Sequence, residues 1–164
     1  MTAYSTVDTP AGPFTTIVDS DGVVLASGWT TAVDELVSGI SPGLRPDELE
    51  ESADLGAVTD AVRAFHAGDR HAVEDIEVRQ RGGAFIEQVW KVLRTVPAGK
   101  QVSYAELADL AGRPSAVRAA ASACARNPAA LFVPCHRVVR TGGGLGGFRW
   151  GPDVKEWLLR HETG

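Results

Sequence analysis

The chain is organised around Ala129-Ala130-Leu131-Phe132-Val133-Pro134-Cys135-His136-Arg137-Val138-Val139, a run in its C-terminal half. The apolar and β-branched residues at both ends of the run are typical of a buried strand or extended segment. A thiol, an imidazole and a guanidinium interrupt it at the centre, and Pro134 removes a backbone donor just before Cys135, so no regular strand ladder is expected there. This conflict between pattern and chemistry marks a candidate functional site. A buried structural cysteine beside a solvent-facing His-Arg pair is the alternative.

The composition bounds the class of protein. With 164 residues, 44% hydrophobic and 23% charged, the chain has the material for one good core or two small ones. No apolar run approaches the length of a membrane span, and the N-terminus lacks the basic and apolar regions of a signal peptide, so no membrane partner is predicted. The only cysteines, Cys124 and Cys135, form no disulfide framework, which favours a reducing cytoplasm.

The charges are divided unequally along the chain. Residues 1–90 carry 5 Lys and Arg against 16 Asp and Glu, a net charge of −11, whereas residues 91–164 carry 11 against 5, a net charge of +6. The two values add to the overall charge of −5. This asymmetry favours a basic working half and an acidic solubilising half, and chance clustering in the acidic loop 47–54 is the alternative.

The N-terminal part has the pattern of a small α+β unit without recognisable chemistry. The runs 14–18 and 23–27 flank Asp19-Ser20-Asp21-Gly22, which predicts a β-hairpin. A short helix is expected over 32–37 with Thr31 as its cap, a second helix over 56–67, and a further strand around 76–78. His66 and His71 are isolated and are expected to face solvent.

A domain boundary is predicted at Gly82-Gly83, which gives an N-terminal domain of residues 1–81 and a C-terminal domain of 82–164. Beyond the boundary the pattern is helical. Ser103 and Glu106 form a capping box for a helix over 104–111, and Pro114 opens another that runs to about Ala125 and contains small residues and Arg118. Two short helices joined by a tight turn are typical of a helix-turn-helix, and an ordinary αα-hairpin is the alternative.

The C-terminal end combines a glycine-rich loop with a helix. Six glycines fall within residues 140–151, but the segment lacks the phosphate-binding GxxxxGK[ST] pattern. Pro152 suits the first turn of the helix that follows. On that helix the apolar spacing allows both His161 and Glu162 to face inward. A solvated terminal charge is the alternative for Glu162.

These residues suggest an activated thiol. A free cysteine is mostly protonated at neutral pH and needs a base to act as a nucleophile. Neighbours in an extended segment point in opposite directions, so His136 is expected to reach Cys135 through a bend or a water molecule. A carboxylate on the far imidazole nitrogen would fix the tautomer, and Glu162 is the candidate. A zinc site is excluded because no familiar ligand spacing is present, and a cysteine hydrolase is disfavoured because no oxyanion apparatus is discernible.

Pro134-Cys135-His136-Arg137-Val138 resembles the active-site motif of the O6-alkylguanine-DNA alkyltransferases, the methylated-DNA–protein-cysteine methyltransferases. The resemblance extends over roughly the C-terminal half and includes Val102-Ser103-Tyr104, Arg118, Arg126-Asn127-Pro128, the glycine-rich loop, and Val154 to Leu159 with Glu162. It implies an α/β (α+β) fold with a small ribonuclease-H-like N-terminal domain and a mainly helical C-terminal domain that contains a helix-turn-helix.

The resemblance implies a function in DNA repair. The expected activity is transfer of the alkyl group from O6-alkylguanine in double-stranded DNA to Cys135, irreversibly and once per molecule, after the nucleotide is flipped out; O4-alkylthymine is left open as a second substrate. No cofactor and no metal is predicted. The protein is expected to be a monomer, and cooperative binding on DNA is left open.

The resemblance also implies roles for individual residues. His136 and Glu162 would deprotonate Cys135, Tyr104 would donate toward the base, and Asn127 would connect the second helix of the helix-turn-helix to the active-site turn. Arg118 would fill the gap in the base stack. Two further sets complete the predicted site. Ser103, Ser115 and Arg126 are assigned to DNA phosphates, and Val138, Phe148, Arg149 and Trp150 to the substrate base. Phe148 stands where many members have tyrosine.

Two other classes of protein share part of this pattern. A lesion-binding protein without catalytic activity would have another residue in place of Cys135, so the cysteine speaks against that class. A regulator that binds DNA through the helix-turn-helix would use the acidic half as a sensor, and it would bind one DNA site tightly without any lesion.

Overall fold

The computed structural model describes residues 1–163. The chain divides into two compact units. The first comprises Met1–Arg81 together with Pro128–Phe132, and the second comprises Gly82–Asn127 and the chain from Val133 onward. The short segment Pro128–Phe132 therefore packs with residues far from it in sequence: the Ser27 amide donates to the Pro128 carbonyl and the Ser27 hydroxyl to that of Ala130.

The first unit is built on a four-stranded sheet in the order β3-β2-β1-β4. Neighbouring strands are antiparallel except β1 and β4, which are parallel. Two helices, α1 and α2, complete the unit. The elements in chain order are β1 Ala3–Val7, β2 Phe14–Val18, β3 Val24–Gly28, α1 Val33–Gly39, β4 Glu50–Glu51 and α2 Ala57–His66.

The predicted hairpin is confirmed as β2 and β3. Asp19 closes the turn because its carboxylate accepts from the Asp21 and Val23 amides, and Gly22 takes the positive φ of +80° that the turn requires. The strand expected around 76–78 is wrong: Val78 forms only an isolated bridge to Val24. Strand β1 has a pattern too polar to be recognised before its pairing partner is known.

The ends of α1 and the position of His66 also differ from expectation. Thr31 does not cap α1, whose N-cap is Ala32 without a side-chain hydrogen bond. His66 is buried, not solvent-facing. Its Nε2 accepts from the indole N–H of Trp29 at 3.3 Å, and its Nδ1 lies 2.7 Å from the Val62 carbonyl. Both ring nitrogens have partners, which makes burial of the polar ring tolerable.

The second unit is mainly helical, with one short parallel pair of strands in which Val102 faces Val138 and Ser103 faces Val139. Its elements in chain order are α3 Ala84–Leu93, β5 Val102–Ser103, α4 Tyr104–Leu110, α5 Val117–Ala125, a 3-10 helix Cys135–Arg137, β6 Val138–Val139 and α6 Pro152–Thr163. In residues 1–163, no helix has both the length and the apolar character needed to cross a membrane.

Helices α4 and α5 form the predicted helical pair. The capping box is confirmed: the Ser103 hydroxyl accepts from the Glu106 amide at 3.0 Å, and the Glu106 carboxylate accepts from the Ser103 amide at 2.9 Å. Helix α5 begins at Val117, later than Pro114, because the intervening residues form turns. Its fully buried alanines, Ala120 and Ala123, leave room for α3, whose Trp90 donates to the Ala123 carbonyl at 2.9 Å.

Candidate active site

The segment that follows Pro134 is a short 3-10 helix, not an extended strand. Three-residue helical turns of this kind rotate successive side chains by about 120°. Cys135, His136 and Arg137 therefore point in three directions from one turn, and all three are buried. The turn provides the bend that was one of the two expected ways for His136 to approach Cys135.

Behind the turn lies a buried cluster of His136, Arg137 and Glu162. The His136 Nε2 is 2.8 Å from Glu162 Oε2. The Arg137 guanidinium donates to the same carboxylate from Nε at 3.0 Å and from Nη2 at 2.7 Å, and its Nη1 donates to the Val96 carbonyl at 2.6 Å. Glu162 on helix α6 thus contacts both residues that follow Cys135, His136 and Arg137, through its carboxylate.

The protonation states within the cluster follow from its charges. Burial opposes ionisation of Glu162, but hydrogen bonds and charges from His136 and Arg137 outweigh it and lower its pKa to about 2. Burial lowers the pKa of His136 more than the Glu162 carboxylate raises it. The cluster at neutral pH is therefore an ionised Glu162 paired with Arg137, beside a neutral imidazole.

A neutral His136 has a defined tautomer in this setting. The Glu162 carboxylate can only accept, so the imidazole proton lies on Nε2. The other ring nitrogen, Nδ1, keeps its lone pair and has no hydrogen-bond partner among the described residues, although it is buried. A buried nitrogen with a free lone pair is a base ready to take a proton.

Opposing effects act on the pKa of the Cys135 thiol. Burial raises its pKa, whereas a hydrogen bond from the Asn127 side chain and the positive charge of Lys155 lower it. Asn127 is itself buried, and its Nδ2 donates to the Val133 carbonyl at 2.8 Å. The amide thus links the end of α5 to both sides of Pro134.

Cys135 lies in the wall of a cavity of about 530 Å³. This volume falls within the range of roughly 300–1,000 Å³ that small-molecule sites occupy. The cavity lies wholly within the second unit and is lined by Tyr104, Ala121, Cys124, Ala125, Asn127, Cys135, Arg140, Gly147, Phe148, Arg149 and Trp150.

Tyr104 and the glycine-rich loop form the side of the cavity opposite α5. Burial raises the pKa of Tyr104, and the Gly147 backbone amide hydrogen-bonds its hydroxyl. The phenol is therefore protonated at neutral pH and able to donate a hydrogen bond into the cavity. Further along the loop, the Arg149 guanidinium lies 4.7 Å from the centre of the Trp150 ring, in the geometry of a cation–π contact.

The remaining predicted residues lie outside the cavity wall. Arg118 and Arg126 are exposed on α5 and at its C-terminal end, and Ser115 is exposed in the turn before it. The Ser103 hydroxyl caps α4, and Val138 is fully buried in β6. Within residues 1–163 no group of three or more His, Cys, Asp or Glu side chains is placed to hold a metal ion.

Comparison with known proteins gives this geometry its context. A family model described as 6-O-methylguanine DNA methyltransferase, DNA binding domain, matches residues 84–164. A methylated-DNA–protein-cysteine methyltransferase of Shigella flexneri is 35% identical over 158 residues, which cover 95% of this chain and 92% of that protein. The chain belongs to the methylated-DNA–protein-cysteine methyltransferase family.

Solved structures and a longer relative agree with membership of the methyltransferase family. The crystal structure of the Mycobacterium tuberculosis OGT in complex with DNA has a TM-score of 0.82 at 32% identity and covers 98% of this chain and 92% of its own. The bifunctional activator and repair enzyme Ada of Escherichia coli is 58% identical over 83 residues, 51% of this chain and 23% of that protein. As a family member the chain is a methyltransferase of DNA repair with a mixed α/β fold.

Sequence reasoning missed several residues of this candidate site. Lys155 and the role of Arg137 went unassigned, although a lysine in an otherwise inward-facing position of α6 was a usable signal. Cys124 had no assigned role in the site, and it is partly buried and lines the cavity. Arg140 lines the cavity as well, and nothing in the sequence distinguishes it from an ordinary loop arginine.

Proposed function

We propose that the protein repairs O6-alkylguanine in duplex DNA by transferring the alkyl group to its own Cys135. The observation that supports this most strongly is the Cys135 thiol at the wall of a cavity of about 530 Å³, large enough to admit a purine, backed by the His136–Glu162 pair at 2.8 Å. In this reaction the Cys135 sulfur forms a bond to the alkyl carbon while the bond from that carbon to guanine O6 breaks.

Activation of the thiol begins at Glu162. The ionised carboxylate fixes the His136 proton on Nε2, so Nδ1 accepts the Cys135 proton through a water molecule. The imidazolium that forms is stabilised by the same carboxylate. Asn127 donates to the developing thiolate, which offsets part of the cost of a buried negative charge.

Departure of guanine needs a proton donor on the other side of the base. Tyr104, whose hydroxyl stays protonated well above neutral pH, donates toward the base N3 and neutralises the leaving guanine. Phe148, Arg149 and Trp150 hold the base in the cavity, and the backbone of Val138, directly after the Cys135–Arg137 turn, reads the edge of the base. The product at Cys135 is a thioether, which no residue of the site reverses, so each molecule acts once.

DNA is bound through the helix-turn-helix. Helix α5 presents small residues that approach the minor groove closely, and Arg118 fills the space that the flipped nucleotide leaves. Ser103, Arg126 and backbone amides around Ser115 contact phosphates. The crystal structure of the M. tuberculosis relative in complex with DNA supports DNA as the partner.

In this proposal the two halves of the chain have different functions. Residues 82–164, apart from the segment Pro128–Phe132 that packs with the first unit, form the DNA-binding and alkyl-transfer domain. Residues 1–81 form a ribonuclease-H-like domain whose acidic charge keeps the molecule in solution. The protein acts as a monomer on DNA in the cytoplasm, where its free cysteines stay reduced. O4-alkylthymine is a second substrate of the same cavity.

Intact-mass measurement tests the proposal. The protein is incubated with a duplex that contains one O6-methylguanine, and with the same duplex without the lesion. We expect one added methyl group with the first duplex only, and none for a folded Cys135→Ser variant. Tight, sequence-specific binding of undamaged DNA with no added mass would instead favour a regulator.

A further inference from the structure

Lys155 is the least expected residue beside the cavity. It is fully buried on α6, and its Nζ donates to the Val138 carbonyl at 2.7 Å and to the Gly147 carbonyl at 3.2 Å. Among residues 1–163 no carboxylate lies within ion-pair distance of it. Buried charges are usually paired with an opposite charge because desolvation is costly. A buried lysine whose acceptors in the described part of the chain are two backbone carbonyls therefore calls for a reason other than stability.

The two carbonyls belong to the two segments that form the site. Val138 follows the Cys135–Arg137 turn directly, and Gly147 lies in the glycine-rich loop whose neighbouring residues line the cavity. One ammonium thus joins the nucleophile's segment to the loop opposite it. Hydrogen bonds from a charged donor are stronger than those between neutral groups, so the Lys155 ammonium can hold the loop against the Cys135 segment.

Gly146 shows how tightly the loop is held against this lysine. It has a φ of +79°, and a Cβ there would lie 2.9 Å from the Tyr104 hydroxyl oxygen and 3.4 Å from Lys155 Nζ. The backbone at Gly146 therefore rests directly on the two side chains. Gly142 has a similar φ of +94° but meets nothing within 4 Å. Close approach, not turn geometry alone, demands glycine at position 146.

We propose that Lys155 is a positioning residue, which holds the glycine loop (residues 141–147) against the segment of Cys135 and so fixes the cavity wall that faces the thiol. This inference rests on the proposed function of the cavity, but its structural part does not depend on DNA. The loop has no helix or strand hydrogen bonds of its own, whereas α6 is a regular helix, so we expect loss of the Lys155 contacts to free the loop without unfolding the helices.

The positive charge of Lys155 has a second effect on Cys135. The titratable and charged groups around the thiol are Tyr104 on α4, Cys124 on α5 and Lys155 on α6, with the His136–Arg137–Glu162 cluster behind it. Two arginines of the segment between β6 and α6, Arg140 and Arg149, also line the cavity. Lys155 is the cation whose charge stabilises the thiolate. Its removal is expected to shift alkylation of Cys135 by iodoacetamide to higher pH, which a purely structural residue would not do.

The test uses two matched pairs of full-length variants. Lys155→Met removes the ammonium from the site, and Lys91→Met removes one from the exposed surface of α3. Gly146→Ala introduces the Cβ that meets Tyr104 and Lys155, and Gly142→Ala imposes the same backbone strain in open space. Amide hydrogen exchange by mass spectrometry follows the peptides that cover residues 141–151, with α3 as an internal reference.

We expect exchange in residues 141–151 to rise about tenfold in Lys155→Met and Gly146→Ala, and not in the two controls, while exchange in α3 stays unchanged. The iodoacetamide profile moves to higher pH in Lys155→Met only. Unchanged loop exchange in Gly146→Ala and in folded Lys155→Met would overturn the proposal, and so would a uniform rise across the second unit. If Lys155→Met does not fold, the comparison of Gly146→Ala with Gly142→Ala decides the test alone. Neither amide hydrogen exchange nor iodoacetamide alkylation uses DNA. A negative result in this test can therefore be distinguished from a failure of the proposed methyl transfer.

Discussion

Glu162 Oε2 is shared by two donors, His136 Nε2 at 2.8 Å and Arg137 Nη2 at 2.7 Å. The arginine supplies the charge that keeps the carboxylate ionised, and the histidine uses that carboxylate to fix its own proton. Because all three side chains are buried, neither interaction is shielded by solvent. The basicity of His136 Nδ1 therefore depends on Arg137, which acts on the imidazole through the carboxylate that both residues share.

Glu162→Gln is expected to impair both activity and stability. The amide cannot fix the His136 tautomer by charge and leaves Arg137 buried without a counter-ion. We expect the rate of methyl transfer to fall by about 10²-fold or more, as for loss of an oriented general base. The free energy of unfolding should fall by about 3–5 kcal/mol, the cost of removing one partner of a buried ion pair.

Single-turnover kinetics and urea unfolding measure the two effects. Glu156→Gln is the matched control, since Glu156 lies on the exposed face of α6, where it pairs only with Arg160. Wild-type kinetics in Glu162→Gln, with intact folding, would contradict the role assigned to the carboxylate.

The same carboxylate makes stability depend on pH. The pKa of Glu162 is about 2 in the folded protein against 4.5 for a free side chain, so its contribution is complete above pH 4.5 and is lost as the pH falls toward 2. The shift corresponds to about 3 kcal/mol. Burial also lowers the pKa of His136, so the unfolded chain takes up that proton first and stability already declines below about pH 6.5.

Urea unfolding at a series of pH values from 8 to 3 checks this prediction. The wild-type and Glu162→Gln curves should differ most at neutral pH and converge as the pH approaches 2. A constant difference between the two curves across the series would show that Glu162 does not titrate as described.

The small residues of α5 allow stability and DNA binding to be separated. Ala123 is fully buried against α3, so Ala123→Leu should lower the free energy of unfolding by about 1–3 kcal/mol through overpacking. Ala119 is exposed on the same helix. Ala119→Leu should leave the unfolding free energy unchanged but weaken binding to duplex DNA, because the added side chain keeps α5 away from the groove.

Thermal or urea unfolding and a DNA titration at fixed salt concentration measure these two variants. Equal effects of Ala119→Leu and Ala123→Leu on unfolding would contradict the packing described for α5. Undiminished DNA binding by Ala119→Leu would show that this face of the helix does not contact DNA.

Arg118→Ala tests nucleotide flipping separately from binding. An inserted side chain offsets the unstacking of the extruded base, which costs a few kcal/mol and less for a poorly paired lesion. We expect methyl transfer to slow about tenfold or more for O6-methylguanine within a fully paired duplex, and much less for the lesion in single-stranded DNA. Arg160→Ala, an exposed arginine of α6, serves as the control. An equal loss on both substrates would assign Arg118 to phosphate binding instead.

Local patterns in the sequence predict only part of this molecule. The hairpin and the Ser103–Glu106 capping box follow from residues close together in the chain and were predictable. The 3-10 turn was not, because an apolar, β-branched run favours an extended segment until Pro134 and the contacts of Asn127 interrupt it. His66 was misassigned for a similar reason: its burial depends on Trp29, and no periodicity shows that a distant indole will donate to an imidazole.

One part of the site could be predicted from the sequence only through the spacing of residues on α6. The inward position of Glu162 followed from helical periodicity, and the structure places it on His136. Lys155 lies on the same inward face, but a buried lysine contradicts the usual preference of that residue for solvent, so the pattern alone assigned it no role. Its hydrogen-bond acceptors are backbone carbonyls. Every residue has such a carbonyl, so the amino-acid sequence does not reveal this pairing.

The most direct test of the central claim is to determine which sulfur receives the alkyl group, and how many times. The protein is mixed with an excess of duplex that contains O6-methylguanine, digested, and its peptides are mapped by mass spectrometry, beside Cys124→Ser and Cys135→Ser variants. We predict one methyl group per molecule, on Cys135, in the wild type and in Cys124→Ser, with no further turnover. A methyl group on Cys124, repeated turnover, or transfer by folded Cys135→Ser would contradict the account.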